Sequence, residues 1–561
     1  MVLLGVLLVI VSFLSTPRID AIETDDPNGY PFFYASQLPI TFYVAMVYLA
    51  LSTLLIKRHL HKILLVLLLA ILLEFTPVAM LENPWVPDQY IYSAEPAYLA
   101  TTHHISRYHY VDSTPGIALA FSPVLFSSAA SPMILWQMAP FLGVLATFLV
   151  VLVGRRIGTN GALCGLLFLA FNYLYQTNIF HRQTYSFVLF LVSVMFLLLL
   201  LEKRRFEFSI GYLAVLSAIL IAHPGTSAFL LLALAIVTAG FYILYKNRTL
   251  VHLTLLSVVG FFAYNLYVSL WDLPRMVRFI QSAMTQVLYG DVGQAPGLEY
   301  LTGYTASFDT LMSIRMLIAL AYLALASLAA VYIALRKGNL SSRFISMMHF
   351  GFLLAFLTFM FGGASFRLRP LLFLIPTSAL LIAKFQTVIS DHKIEARSSR
   401  KFLRKIMDFF IHNVRRKSIR IAGVLCVIGL LMVVPILRYS GIPYLQPHSE
   451  ELTGKLFLDT RWDYDYPIYV TERNLPYGYS LILEWKIPND EPYTILEYER
   501  DLPSNTSFFT VQRYVTRDGY WAENVSFEAY LDGLLDTLPE SHDVIYQADE
   551  YHMIFRDKTA G

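Results

Sequence analysis

The sequence predicts a polytopic α-helical membrane protein. About thirteen spans fill residues 1–438, and residues 439–561 form a small external α+β domain. Three observations carry this. The 561 residues are 56% hydrophobic and only 15% charged, where a soluble domain carries about a quarter charged residues. Apolar runs close to membrane-spanning length recur up to residue 438. Beyond that point the pattern changes to short β-prone runs between turn signals.

The spans read, in order, as 2–14, 38–56, 62–81, 133–153, 158–175, 184–201, 208–222, 226–245, 250–270, 314–335, 344–362, 370–386 and 421–437. Residues 1–14 lack a basic leader and a small-residue cleavage site, so they read as a first span rather than a signal peptide. Lys and Arg favour cytoplasmic loops, and they alternate as required. KRHLHK (57–62), GRR (154–156), EKRR (202–205), YKNR (245–248), RKGNLSSR (336–343) and the basic connector 387–420 fall on one side. One apolar segment, 116–132, would reverse every later loop if it crossed, so it reads as a helix at the outer surface. Cys164 and Cys426 both lie in apolar runs and read as buried thiols. The basic connector is positive-inside anchoring to membrane lipids. A net charge of +2 gives no case for nucleic acid as a partner.

In the external domain, PIYVTE, YSLILEWKI, SFFTVQRYV and HDVIYQADEYHMIFR read as strands. RDG (517–519) and LPSN (502–505) are turn signals between them.

The densest polar chemistry lies in the first long external loop, ENPWVPDQYIYSAEPAYLATTHHISRYHYVDSTPGIALAFSP (82–123). DQYIYSAEPAYLATTHHI reads as a helix lying along the membrane, with Tyr and His at headgroup level. Asp88 follows Pro87 and is either a solvated turn residue or a functional carboxylate. Glu82, Glu95 and Asp112 are candidates for acid/base or orienting work. His103, His104 and His109 stand near Asp112, but the spacing is irregular and matches no zinc pattern, so metal is not supported. His103 and His109 read as interfacial or acceptor-contacting groups. Asp25 and Asp26 sit in ordinary turn chemistry. Arg182 either contacts substrate or caps a span; His223, in AHPGTS, is a further candidate contact. Glu74 lies inside the third span, where a carboxylate is a functional suspect or a structural group hydrogen-bonded to a neighbouring helix.

The order of parts here resembles the GT-C superfamily of membrane glycosyltransferases, which use polyprenyl-phosphate-linked sugars. In that superfamily a span leads to an acidic residue with nearby aromatics. Two juxtamembrane helices follow, with a Pro entering the second, and then a span with basic residues at its cytoplasmic end. SFRLRPLLFLIPTSALLIA (365–383) is similar to a late element of the protein-mannosyltransferase-like and aminoarabinose-transferase-like members, where an external Arg precedes a Pro-containing span. AHPGTS (222–227) is similar to an external His-Pro turn of archaeal relatives. The resemblance covers residues 38–386 and points to an archaeal-type member. Two spans precede the superfamily's usual start, the WWDYG signature is missing, and no Asp-x-Asp flanks Asp88.

The resemblance implies a hexosyl- or pentosyltransferase in the cell membrane. It would move a sugar from a polyprenyl-phosphate donor to a glycan, lipid or protein acceptor on the outer face. Such a transfer needs a base for the acceptor hydroxyl and positive charge for the leaving phosphate. Asp88 then becomes the base, and Arg367, Arg369 and Arg182 the donor-phosphate ligands. No cofactor follows from the sequence. Two other classes compete. A lipid or polysaccharide flippase would need charges lining a two-sided path, and the spans hold few. A scaffold displaying the external domain would not need an acidic first loop.

The charge pattern fixes a topology. Lys57 and Arg404 face the cytoplasm, and Asp88 and Asn505 face outside. Single cysteines at these positions, treated in intact cells with an impermeant thiol reagent, label at 88 and 505 only. Labelling at 404 reverses the scheme.

Overall fold

The computed structural model describes residues 1–19, 30–81, 132–172, 182–246, 248–267, 306–335, 339–359, 369–391, 429, 431 and 433–437, and five strands between 468 and 557. The helices are α1 Val2–Ser15, α2 Tyr30–Gln37, α3 Ile40–Leu55, α4 His59–Met80, α5 Pro132–Arg156, α6 Gly161–Phe171, α7 Arg182–Lys203, α8 Phe206–Ala222, α9 Pro224–Tyr245, α10 Val251–Tyr267, α11 Ala306–Leu335, α12 Leu340–Phe359 and α13 Arg369–Asp391. Seven of these are long and apolar enough to cross a membrane: α4, α5, α7, α9, α11, α12 and α13. The expected spans at 2–14, 38–56, 158–175, 208–222 and 250–270 meet shorter apolar helices, α1, α3, α6, α8 and α10. α6 has 11 residues, every one of them buried. At about 1.5 Å per residue these residues cover about 16 Å, and residues 173–175 of the expected span lie outside the described residues. Of the expected span 421–437 only 429, 431 and 433–437 are described, so thirteen spans are not established. The surface helices expected between 88 and 132 and residues 392–420 of the basic connector lie outside the described residues, while 387–391 continue α13.

Local sequence explains the helix ends. α5 closes on Gly158, whose φ of +72° is left-handed backbone that glycine adopts without strain. Gly158 N–H donates to Arg155 O and Thr159 N–H donates to Gly154 O, both at 3.1 Å. That is a Schellman closure, and it turns the chain directly into α6. α9 begins at Pro224, whose missing N–H costs nothing in a first turn. α13 likewise carries Pro370 in its first turn.

The packing centres on α13. Every residue from Pro370 to Leu381 is buried, so this half-helix has no lipid-facing side. α5, α6, α11 and α12 pack against it. Phe373 also meets Phe187 and Phe190 of α7, Phe229 of α9 and Phe352 of α12, with ring centroids 4.9–6.2 Å apart. Farther along, His349 joins three helices: Nε2 lies 3.1 Å from Ser327 Oγ on α11, and Nδ1 3.2 Å from Thr377 Oγ1 on α13. α5 and α6 approach closely. A Cβ on Gly161 would stand 2.4 Å from Val151 O. By contrast α10 exposes Leu255, Leu256, Val259 and Phe262, as a lipid-facing helix does.

Contacts at the loop ends show which termini share an end of the bundle. Arg156, closing α5, pairs with Glu202, near the end of α7. Ser341, opening α12, donates to Glu202 at 2.9 Å. Lys384 of α13 donates to Gly158 O at 3.0 Å, and Thr159 meets Thr387 at 2.9 Å. Arg343 stacks on Tyr245, which closes α9 and donates to Ala334 O of α11. These termini are the ones the charge pattern assigns to a single side. The opposite end therefore holds the start of α5, α7, α9, α11 and α13 and the close of α6, α8 and α12.

The C-terminal strands are β1 Ile468–Val470, β2 Tyr493–Ile495, β3 Phe508–Gln512, β4 His542–Ala548 and β5 His552–Asp557. They form one sheet in the order β2-β1-β3-β5-β4. β1 is parallel to β2 and β3, while β5 is antiparallel to β3 and β4. β1, β3, β4 and β5 fall within runs expected to be strands. β2 was not expected, and YSLILEWKI (479–487) lies outside the described residues.

The α5–α6 contact predicts an asymmetric response to adding one methyl. Gly161→Ala forces backbone apart and destabilises by about 1–3 kcal/mol. Gly260→Ala in α10 meets nothing within 4 Å, and it is neutral or gains up to about 1 kcal/mol of helix propensity. Thermal unfolding of both variants in detergent distinguishes them.

Candidate active site at the end of the bundle opposite the basic loops

Glu82, Asp88, Glu95, His103, His104, His109, Asp112 and Arg367, and the turn residues Asp25 and Asp26, lie outside the described residues. The described structure shows what surrounds their points of attachment. α4 ends at Met80, and the chain leaves it toward Asp88. Ile19 N–H donates to Met80 O at 2.7 Å, and Ile19 forms an isolated bridge with Leu81. The root of the long loop is thus held by the segment that follows α1.

Arg182 and Arg369 are the first residues of α7 and α13. Both helices begin at the end opposite the basic loops. Phe187 and Phe373, whose rings meet at 6.2 Å, follow the two arginines by five and four residues. At 1.5 Å per residue both arginine positions stand about 6–8 Å beyond that ring contact, at matching depth. The fold therefore brings two candidate phosphate ligands to one level.

His223 is the N-cap of α9 and is only 3% exposed. Its Nδ1 accepts from Thr226 N–H at 3.0 Å and lies 2.8 Å from Thr226 Oγ1. A nitrogen that accepts a backbone N–H carries no proton, which places the ring proton of a neutral imidazole on Nε2. The His-Pro turn singled out from sequence thus has a local role: it starts a helix.

Glu74 is completely buried. Asn172, at the close of α6, donates from Nδ2 to Glu74 Oε1 at 3.3 Å. Gly143 of α5 makes the room: a Cβ there would stand 2.4 Å from Glu74 Cδ. A further group of buried polar side chains opens α7, namely Gln183, Thr184 and Ser186. Among the described residues Thr184 Oγ1 and Ser186 Oγ accept or donate no hydrogen bond. Sequence reading passed over Asn172, Gln183, Thr184 and Ser186. Their signal was there, as polar residues on both sides of Arg182 in NYLYQTNIFHRQTYS, between two apolar runs.

The arrangement is a helical bundle with a packed aromatic layer around Phe373 and a group of buried polar side chains, Glu74, Asn172, Gln183, Thr184 and Ser186, where α4 and α6 close and α7 begins. ArnT from Cupriavidus metallidurans, in its crystal structure bound to undecaprenyl phosphate, superposes on this chain with a TM-score of 0.50. The match covers 89% of this chain and 98% of that one at 10% identity. The chain has the ArnT fold. ArnT in its apo state gives a TM-score of 0.46 at 11% identity, covering 83% of this chain and 92% of that one. No family model matches the sequence, and no curated protein matches it. This likeness supports the GT-C-like membrane fold expected from the sequence, while the first external loop, whose order of parts carried that expectation, lies outside the described residues. The likeness gives no support to an archaeal, protein-mannosyltransferase-like subtype.

The cap makes a separable prediction for His223. His223→Ala removes the acceptor and costs about 1 kcal/mol. His223→Ser restores an N-cap oxygen and most of that stability. Melting temperatures read the cap. If the Ser variant keeps stability but loses donor binding, the imidazole has a second role at the site.

Proposed function

We propose that the protein is a membrane glycosyltransferase that takes its sugar from a polyprenyl-phosphate donor. The acceptor is a lipid-linked glycan, a polysaccharide or a protein at the outer membrane face. The observation that carries this reading is the ArnT fold over 89% of the chain, in a neighbour whose crystal structure holds undecaprenyl phosphate. The distribution of polar groups supports it. Glu74, Asn172, Gln183, Thr184 and Ser186 are buried where α4 and α6 close and α7 begins, beside the aromatic layer around Phe373, and the buried polar groups farther along, His349 and Thr377 among them, are bonded to one another between helices. A flippase would need a polar path continuing through that layer.

In this mechanism the donor phosphate binds at the outer end of the bundle, held by Arg367 or Arg369 with Arg182 alongside. Guanidinium suits the task because its planar fork meets two phosphate oxygens at once and its charge is permanent. Asp88, on the loop that leaves α4, takes the proton from the acceptor hydroxyl as that oxygen attacks the anomeric carbon. The bond from that carbon to the phosphate oxygen breaks, and the arginine charge stabilises the departing polyprenyl phosphate. Glu82, Glu95 and Asp112 orient groups around the base. His103 and His109 meet the acceptor at headgroup level. The sheet of the C-terminal region serves as an external module for the acceptor.

Purified protein and a panel of polyprenyl-phosphate sugars test the reading. Wild type transfers or hydrolyses at least one donor. Asp88→Asn keeps the shape but cannot take a proton, and turnover falls by about a hundred- to ten-thousandfold. Glu95→Gln costs far less. Arg367→Ala or Arg369→Ala weakens donor binding, and Lys recovers only part of it. Normal turnover in both carboxylate variants removes the loop from the chemistry.

A further inference from the structure

The mechanism above leaves one buried acidic group unused. Glu74 stands seven residues before Leu81, about 10 Å down the helix from the root of the loop that carries Asp88. Its partner Asn172 follows the last residue of α6, where the chain leaves toward Arg182. One hydrogen bond, Asn172 Nδ2 to Glu74 Oε1, therefore joins the roots of two segments that the proposed mechanism needs in register.

The contact continues beyond these two helices. Phe171, the neighbour of Asn172, stacks on Tyr322 of α11 with centroids 3.5 Å apart and planes 10° from parallel. Tyr322 donates its hydroxyl proton to Ile375 O of α13 at 3.4 Å. Ile375 lies six residues after Arg369, again about 9 Å down from the helix start. α4, α6, α11 and α13 are thus linked, by one side-chain hydrogen bond, one ring stack and one hydrogen bond to a backbone carbonyl, at a common depth below the segments bearing Asp88, Arg182 and Arg369. On the fourth side Gly143 presses bare backbone against the carboxyl group, where any side chain would expel it.

We infer that Glu74 is a positioning residue: through Asn172 it sets the spacing between the base loop and the phosphate-binding helix starts. This rests on the proposed transferase reading. The carboxylate touches neither donor nor acceptor in this role. It works as a hydrogen-bond acceptor of fixed place, and that is what its enclosure by α4, α5 and α6 provides. A glutamine oxygen can accept the same N–H, so the role does not require charge or a titratable proton.

Four variants of the full chain decide it: Glu74→Gln, Glu74→Ala, Asn172→Ala and Gly143→Ala. Two readouts are used, steady-state kinetics on the donor that wild type turns over and hydrogen exchange of peptides spanning 82–90 and 173–181. Loss of positioning by a fraction of an ångström lowers kcat by about ten- to a hundredfold in the last three variants. The donor KM stays within about twofold, because donor contacts are retained. Glu74→Gln keeps most of kcat. Exchange rises together in both peptides in Glu74→Ala and Asn172→Ala, and a peptide over 336–343 at the opposite end is unchanged. A Glu74→Gln variant as inactive as Glu74→Ala overturns the inference in favour of proton or charge chemistry. So does wild-type kcat in folded Glu74→Ala or Asn172→Ala, or faster exchange confined to the segment beside the altered residue. Should wild type turn over no donor, the transferase reading fails, and the exchange experiment alone decides whether the junction couples the two segments.

Discussion

The fold depends on the enclosure of the first half of α13. Twelve consecutive buried residues, Pro370 to Leu381, mean that other helices must cover the whole circumference. α5, α6, α11 and α12 do so, with Phe side chains of α7 and α9 filling the remaining angle. In a membrane this enclosure gains little from burying grease, since lipid tails are as apolar as leucine. What it gains is close packing of aromatic rings and a few hydrogen bonds that have no competing water. The His349 contacts to Ser327 and Thr377 are of that kind. So are the hydroxyls that meet the carbonyls around Pro376: Tyr322 on Ile375 O, and Thr377 on Phe373 O and Leu374 O.

Once α13 is surrounded, the two ends of the bundle diverge in chemistry. At one end long basic side chains hold the termini together. Arg156 and Lys384 reach across to neighbouring helices while their stems lie along the bundle. At the other end, among the described residues, short polar side chains are buried: Asn172, Gln183, Thr184, Ser186 and His223. A site built there would stand over the packed aromatic rings around Phe373. Such surroundings strengthen any hydrogen bond or ion pair placed above them. This suits a reaction whose main demand is to hold a lipid phosphate and a hydroxyl in register.

The loop that carries the proposed base is anchored at its root from two directions. Ile19 holds the last carbonyl of α4 from one side, and the Glu74–Asn172 pair ties α4 to α6 from another. The segment after α1 thereby acquires a purpose. Ile19, four residues past the end of α1, holds the close of α4 where the long loop begins.

Periodicity and charge alone determined much of this. Long runs of leucine, valine and phenylalanine have one stable state in hydrocarbon, the helix, because every backbone N–H and C=O must be satisfied within the segment. The alternation of KRHLHK, GRR, EKRR and RKGNLSSR fixed which helix termini share an end, since basic residues resist crossing. Four of the five strands were legible from β-branched and aromatic runs between turns. β2 was not, since its three residues lie between Pro492 and an acidic stretch, LEYERD, outside any longer β-prone run. Only the tertiary structure decided that every described residue of α6 is enclosed by protein: apolar length looks the same whether lipid or protein surrounds it. It alone gave His223 its role as a cap, through the approach of Thr226 N–H. It alone paired Glu74 with Asn172, 98 residues apart in sequence. Local sequence records propensity and charge, whereas a hydrogen bond between distant helices exists only after packing has brought them to one depth.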